Sequence, residues 1–159
     1  MSNASPSPQT VFPEAAPGAL IPSLISITKS SRALLDLRLH EIGLNAGQDH
    51  LLMALEPNGD PVLVSHLADK VGVRASTVSK MLDRLEHREL VRRGNDKKDR
   101  RYTMVTLTSK GQAARKDVQE LWEEVEAYIF ANCSEDADDF RQNAAQLNTL
   151  LTERLRRLR

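Results

Sequence analysis

Residues 67–85 read LADKVGVRASTVSKMLDRL. Two helical periodicities meet there across Gly72. Helices that cross closely need a small residue at the crossing and a turn residue that tolerates positive φ. They also need an aliphatic residue where the second helix packs back on the first. Ala68, Gly72 and Val78 stand at the spacings of four and six that a helix-turn-helix uses, and Leu67, Val71, Val73 and Met81 fill its apolar positions. In the second helix Val78, Leu82 and Leu85 recur at i, i+4 and i+7, which predicts an inward face. Thr77, Lys80 and Arg84 recur at i, i+3 and i+7 on another face, with Arg74 and Ser76 at the helix start. Hydroxyls and cations on one exposed face suit the phosphates and base edges of duplex DNA. The N-terminus of such a helix is the part that enters the major groove.

Working outward, Leu90–Arg93 and Tyr102–Leu107 are β-prone and flank a polar tip, which predicts a hairpin. The tip carries Lys97, Lys98, Arg100 and Arg101, which suit phosphates or a narrow minor groove, and Asp99 is placed to hold a guanidinium. Before the helix pair, Val62-Leu63-Val64 is a short β-prone run and Ser65 is the expected N-cap of a helix over His66–Val71. Helices are expected over Ile21–Ile42, stopped by Gly43, and over Gln48–Leu55, stopped by Glu56-Pro57-Asn58-Gly59. Thr108 or Ser109 caps a long helix reaching about Asn132, and Ser134 caps a last one whose Leu147, Leu150, Leu151, Leu155 and Leu158 form one stripe. The order α-α-(β)-α-α-β-β-α-α is a mainly α (α+β) fold, a winged helix-turn-helix flanked by N- and C-terminal helices.

The 159 residues fit a single domain over 20–159, with residues 1–19 a disordered tail rich in proline and small polar residues. Formal net charge is zero, from 22 Lys and Arg against 22 Asp and Glu, which taken alone argues against nucleic acid. The distribution argues the other way. Arg74 to Arg101 holds ten Lys or Arg and five Asp or Glu, a local balance of +5, whereas Asp117 to Phe140 holds nine acids and no Lys or Arg. Segregated charge makes an electrostatic footprint. A single cysteine, Cys133, excludes an intrachain disulfide and fits a reducing cytoplasm. No apolar run approaches the ~20 residues that cross a bilayer, and the first eighteen residues do not read as a secretory signal.

Residues 59–111 resemble the MarR family of winged-helix regulators. The matching text is Leu67-Ala68, Gly72-Val73, Ser76-Thr77-Val78, Leu82-Asp83-Arg84-Leu85-Glu86 and Leu90-Val91-Arg92-Arg93. Asp99-Arg100-Arg101 followed by Leu107-Thr108 and Lys110-Gly111 fits the family's D-x-R-x5-LT wing signature without a gap. The resemblance implies a homodimeric transcription regulator, usually a repressor, on a pseudo-palindromic operator, released by a small aromatic or lipophilic effector. It implies Ser76, Thr77 and Lys80 in the major groove, and Arg101 in the minor groove with Asp99 orienting it. Residues 62–108 would be the DNA-binding lobe, and 20–43 and 109–159 the dimerisation helices. One departure is Glu89, where the family usually has glycine; it weakens the expected helix C-cap.

Other readings are blander. A winged helix used only as a protein–protein adaptor would leave the basic tip and polar face superfluous. A cysteine-based redox sensor is a weaker alternative, since Cys133 reads as a buried or inert thiol. His40, His50, His66 and His87 show no metal-ligand spacing, and no cofactor is implied. Trp122 and Tyr128 read as core or interface. No catalytic triad, paired carboxylate or phosphate loop stands out, so the chain does not read as an enzyme.

Overall fold

The computed structural model describes residues 18–96, 99–133 and 136–158. Of the tail expected over residues 1–19, residues 1–17 lie outside them. The elements run α1 (Leu20–Glu41), α2 (Gln48–Ala54), β1 (Val62–Leu63), α3 (Val64–Val71), α4 (Ala75–His87), β2 (Val91–Asn95), β3 (Thr103–Leu107), α5 (Ser109–Ala131) and α6 (Ala137–Arg157). The three strands form an antiparallel sheet in the order β1-β3-β2, with Val62 opposite Val105 and Val91 opposite Leu107.

One core joins α2, α3, α4, the sheet and the first half of α5. Leu51, Leu52, Leu67, Val78, Leu82, Leu85, Val91, Val105 and Val118 are buried in it, and α1 adds Leu39 near its C-terminus. The inward face expected of α4 is there: Val78, Leu82 and Leu85 are each 0% exposed. Gly72 ends α3 at φ +71, the left-handed value the turn needs. Ala68 is buried at the crossing and Val71 and Met81 pack at its rim. Val73, expected inside, is exposed, because it lies in the turn between the two helices.

The caps depart from expectation in two places. Ser65 does not cap α3. The strand runs directly into the helix, Leu63 takes the N-cap position, and Ser65 falls inside the first turn. α6 is capped by Asp136, whose carboxylate accepts from the Asp138 and Asp139 amides at 2.8 and 3.2 Å; Ser134, the expected cap, lies outside the described residues. Thr108 caps α5 as anticipated, accepting from the Gly111 amide at 2.9 Å. Its hydroxyl also donates to the Glu89 carbonyl at 2.6 Å, tying the end of β3 to the end of α4.

Glu89 adopts the glycine conformation rather than breaking the cap. Its φ is +61. The Leu90 amide donates to Leu85 at 2.9 Å and the Glu89 amide to Glu86 at 2.8 Å, the paired bonds of a left-handed helix C-cap. Leu85 and Leu90 are both buried beneath it. A side chain at positive φ costs roughly 1–2 kcal/mol, and glycine gives back part of that in unfolded-chain entropy. Glu89→Gly is therefore expected to raise unfolding stability by about 0.5–1 kcal/mol, read in a urea titration. Gly111→Ala is expected to act oppositely. A Cβ there would stand 1.8 Å from the Leu90 carbonyl oxygen, backbone that cannot move away cheaply. A loss of about 3 kcal/mol or more is expected in the same titration.

Candidate nucleic-acid interface

The outer surface of α4 follows from its inner one. With Val78, Leu82 and Leu85 buried, Arg74, Ser76, Thr77, Lys80 and Arg84 are all exposed. Arg74 is the N-cap residue, in extended conformation, and no side chain caps this helix end among the described residues. The Thr77 and Val78 amides bond back to the Arg74 carbonyl at 2.9 and 3.1 Å. The positive end of the helix dipole is thus open to solvent beside two hydroxyls and a guanidinium, a setting that favours an anion.

The hairpin supplies the second part. Arg101 is pinned by Asp99 through its Nε at 3.0 Å, its Nη2 at 2.7 Å and its backbone amide at 3.0 Å. The arginine side chain remains 87% exposed while its partner is 30% exposed. The charge is therefore presented outward on a fixed stem. Hydrogen bonds from Arg101 hold the Asp99 carboxyl below the usual range and raise the guanidinium further. Arg100 is also exposed beside it. Lys97 and Lys98, expected at the same tip, lie outside the described residues. A small cleft between the hairpin and the helix pair is lined by Ser65, Ser79, Leu82, Arg93, Arg101 and Tyr102, so the wing and α4 share one surface.

Two features were not found in the sequence. The first is an ion-pair cluster in which Arg93 of β2 meets Asp83 and Glu86 of α4 at 2.7 and 2.5 Å. The acids stand at i and i+3, a visible spacing, but nothing local pairs them with a strand residue. The second is an apolar cleft of about 550 Å³ between α1, α2 and α5, lined by Ile27, Leu34, Leu35, Trp122, Val125 and Ile129, with His50 and Glu126 at its polar edge. Trp122 is half-buried and its ring meets His50 with centroids 5.3 Å apart. Tyr128 is exposed. Cys133, expected buried or inert, is exposed at the α5–α6 junction, beyond the last residue of α5.

Away from the lobe, α6 has no buried residue, and Leu150, Leu151, Leu155 and Leu158 are all exposed. Leu20, Ile21, Ile25, Ile27 and Leu37 of α1 are likewise exposed. α6 is joined to α5 at its base: Arg141, also held by Asp138 of its own helix at 2.7 Å, binds Glu126 at 2.5 Å, and Phe130 meets Phe140 edge-on at 5.9 Å. No helix among the described residues is long and apolar enough to cross a membrane.

Comparison with known proteins bears on the same lobe. Residues 44–103 match the model of the MarR family. The chain is similar to the HTH-type transcriptional repressor MdtR of Bacillus subtilis, at 36% identity over 69 residues. That match covers 43% of this chain and 44% of the relative, less than half the length of the curated protein. Among solved structures, the S. aureus MepR–DNA complex superposes with a TM-score of 0.69 at 23% identity, covering 88% of this chain and 99% of that one. S. aureus MarR in complex with salicylate and kanamycin superposes at 0.72 with 20% identity, covering 86% of this chain and 91% of that one. At such identities the likeness establishes the fold.

The Asp99–Arg101 contact has a direct signature. A carboxyl whose value is lowered by its partner stays ionised further into acid, so the contact is intact at neutral pH and is lost as pH falls through the lowered value. Side-chain carbon shifts of Asp99 followed by NMR against pH are expected to titrate below an ordinary aspartate, and Arg101→Ala is expected to return them to it. Identical titrations in the two proteins would show the contact is not formed in solution.

Proposed function

We propose that the chain is a MarR-family winged helix-turn-helix protein, a sequence-specific, duplex-DNA-binding transcription regulator acting as a homodimer, a repressor in the sense of the MdtR relative. The observation that carries this reading is the shared outward surface of α4 and the wing, on which hydroxyls, exposed cations and a pinned, exposed arginine stand together. In the proposal Ser76, Thr77 and Lys80 meet base edges in the major groove. Arg74, Arg84, Lys97, Lys98 and Arg100 meet phosphates, and Arg101, held by Asp99, enters the adjacent minor groove.

The dimer is assigned to residues 20–43 and 109–159, leaving 62–108 as the DNA-binding lobe. What supports this is the exposed leucine and isoleucine surface of α1 and α6, apolar surface that a second copy would cover. A two-fold dimer would present its two α4 helices to successive major grooves of a pseudo-palindromic site, about 10 base pairs apart. The protein works in the cytoplasm in this reading, where its DNA is. The cleft between α1, α2 and α5 is the proposed seat of a small aromatic or lipophilic effector. It lies where α1 meets the lobe, so its occupation would alter the spacing of the two recognition helices.

A binding titration at several salt concentrations tests the DNA reading. Affinity is expected to fall steeply, with a log–log slope of about −0.9 for each phosphate contacted. A flat slope would favour the protein–protein adaptor. Arg101→Ala is expected to weaken binding about tenfold and to reduce the slope by about one; unchanged binding would show that the wing is not engaged. Trp122 is the only tryptophan in the sequence, so intrinsic fluorescence reports on the cleft. Titration with a panel of small aromatic acids, salicylate among them, is expected to give a saturable change accompanied by release of DNA. Release without any change at Trp122 would place the effector elsewhere.

A further inference from the structure

We infer that Arg93 is a positioning residue for DNA binding, a clamp that sets the wing against the recognition helix so that Arg101 and the outer face of α4 engage DNA together. The inference rests on the DNA-binding reading above. Arg93 lies on β2 and touches α4 in four ways. Its Nε donates to Glu86 Oε2 at 2.8 Å and its Nη2 to the same oxygen at 2.5 Å. Its Nη2 also stands 2.7 Å from Asp83 Oδ1. Its backbone amide donates to Glu86 Oε1 at 3.1 Å. Backbone and side chain of one strand residue thus hold two carboxylates one turn apart on the helix. This fixes the height of the strand along α4 as well as its distance, which a single-point contact would not do.

The cluster is sheltered on its Arg93–Glu86 side, where the side chains are 29% and 38% exposed, while Asp83 at 60% stands at its open edge. Hydrogen bonds from Arg93 keep Glu86 below the ordinary carboxylate range. Asp83 and Glu86 are the two acids of α4. Left unpaired, they would set negative charge beside the cationic face of the same helix.

The lever arm is what makes the clamp consequential. Arg93 pairs with Val105 in the body of the hairpin, whereas Arg101 lies beyond the last paired residues, Asn95 and Thr103. A small rotation of β2 against α4 is magnified at that end. Contacts that must form simultaneously are sensitive to displacements of about 1 Å. Arg93 therefore needs no contact with DNA to affect how DNA is held.

Glu86→Ala separates the clamp from simple electrostatics. It removes a negative charge from a DNA-facing helix, and charge alone would then tighten binding. The clamp requires the opposite, a loss of roughly fivefold, with the penalty for Arg101→Ala shrinking in the Glu86→Ala background because the two residues act as a unit. The probe is the duplex that the native chain itself enriches from random DNA, with thermal unfolding run on each variant. Arg93→Lys keeps the charge and gives up the forked contact; it is expected to show the same shrunken Arg101→Ala penalty, and it serves if Glu86→Ala does not fold. Binding equal to or tighter than native, or an Arg101→Ala penalty the same in every background, overturns the clamp and leaves the DNA reading standing. A native chain that enriches no sequence overturns the DNA reading and the clamp with it.

Discussion

Val78, Leu82 and Leu85 hold one whole side of α4 out of water, and the rest of the lobe is arranged around that fact. Full burial of an aliphatic side chain stabilises by about 1.5–3 kcal/mol, so rotating α4 about its axis would forfeit several such contributions at once. Leu67 of α3, Leu51 and Leu52 of α2 and Val91 and Val105 of the sheet close around the same side. The helix is thereby fixed in rotation. The residues at its other angles, Ser76, Thr77, Lys80 and Arg84, have no choice but solvent. The polar outer face is a consequence of the apolar inner one, and the wing is attached to the same rigid body through Thr108 and Arg93.

The lobe and the arms differ in kind. The lobe completes its core within one chain. The arms do not: α6 contributes no buried residue, and α1 buries only Leu39. Charge divides along similar lines. A basic excess lies in residues 74–101 and an acidic stretch in 117–140, and the basic residues elsewhere bring the sequence to zero while each region keeps its own field. A Debye length of about 10 Å at moderate salt keeps the two fields from cancelling across the molecule. Under the proposed function the acids would face away from the DNA that the basic surface holds.

Much of this was legible in the sequence because the signals are local. The period of α4, the glycine of the turn and the two β-prone runs around a polar tip each depend on neighbours in the chain. So does the Asp99–Arg101 pair, two residues apart. What was misread depended on packing. Ser65 has the chemistry of a cap, but β1 continues straight into α3 and moves the helix start back to Val64. Val73 has the chemistry of a core residue, but it sits in the turn. Glu89 was visible as a departure, and its outcome turned on whether two capping hydrogen bonds and the Leu85–Leu90 contact outweigh a strained φ; they do. The Arg93 cluster and the α1–α5 cleft were not legible at all, since both arise between elements distant in sequence.

The central claim is that two such lobes read one duplex from the same side. Hydroxyl-radical cleavage of the enriched duplex, with and without the native chain, measures this most directly because it reports groove protection nucleotide by nucleotide. The account predicts protected patches on one face of the duplex, related by two-fold symmetry, with centres about one helical turn, ~10 base pairs, apart and further minor-groove protection flanking them. A single patch without a symmetry mate, or uniform protection with no helical period, would contradict it.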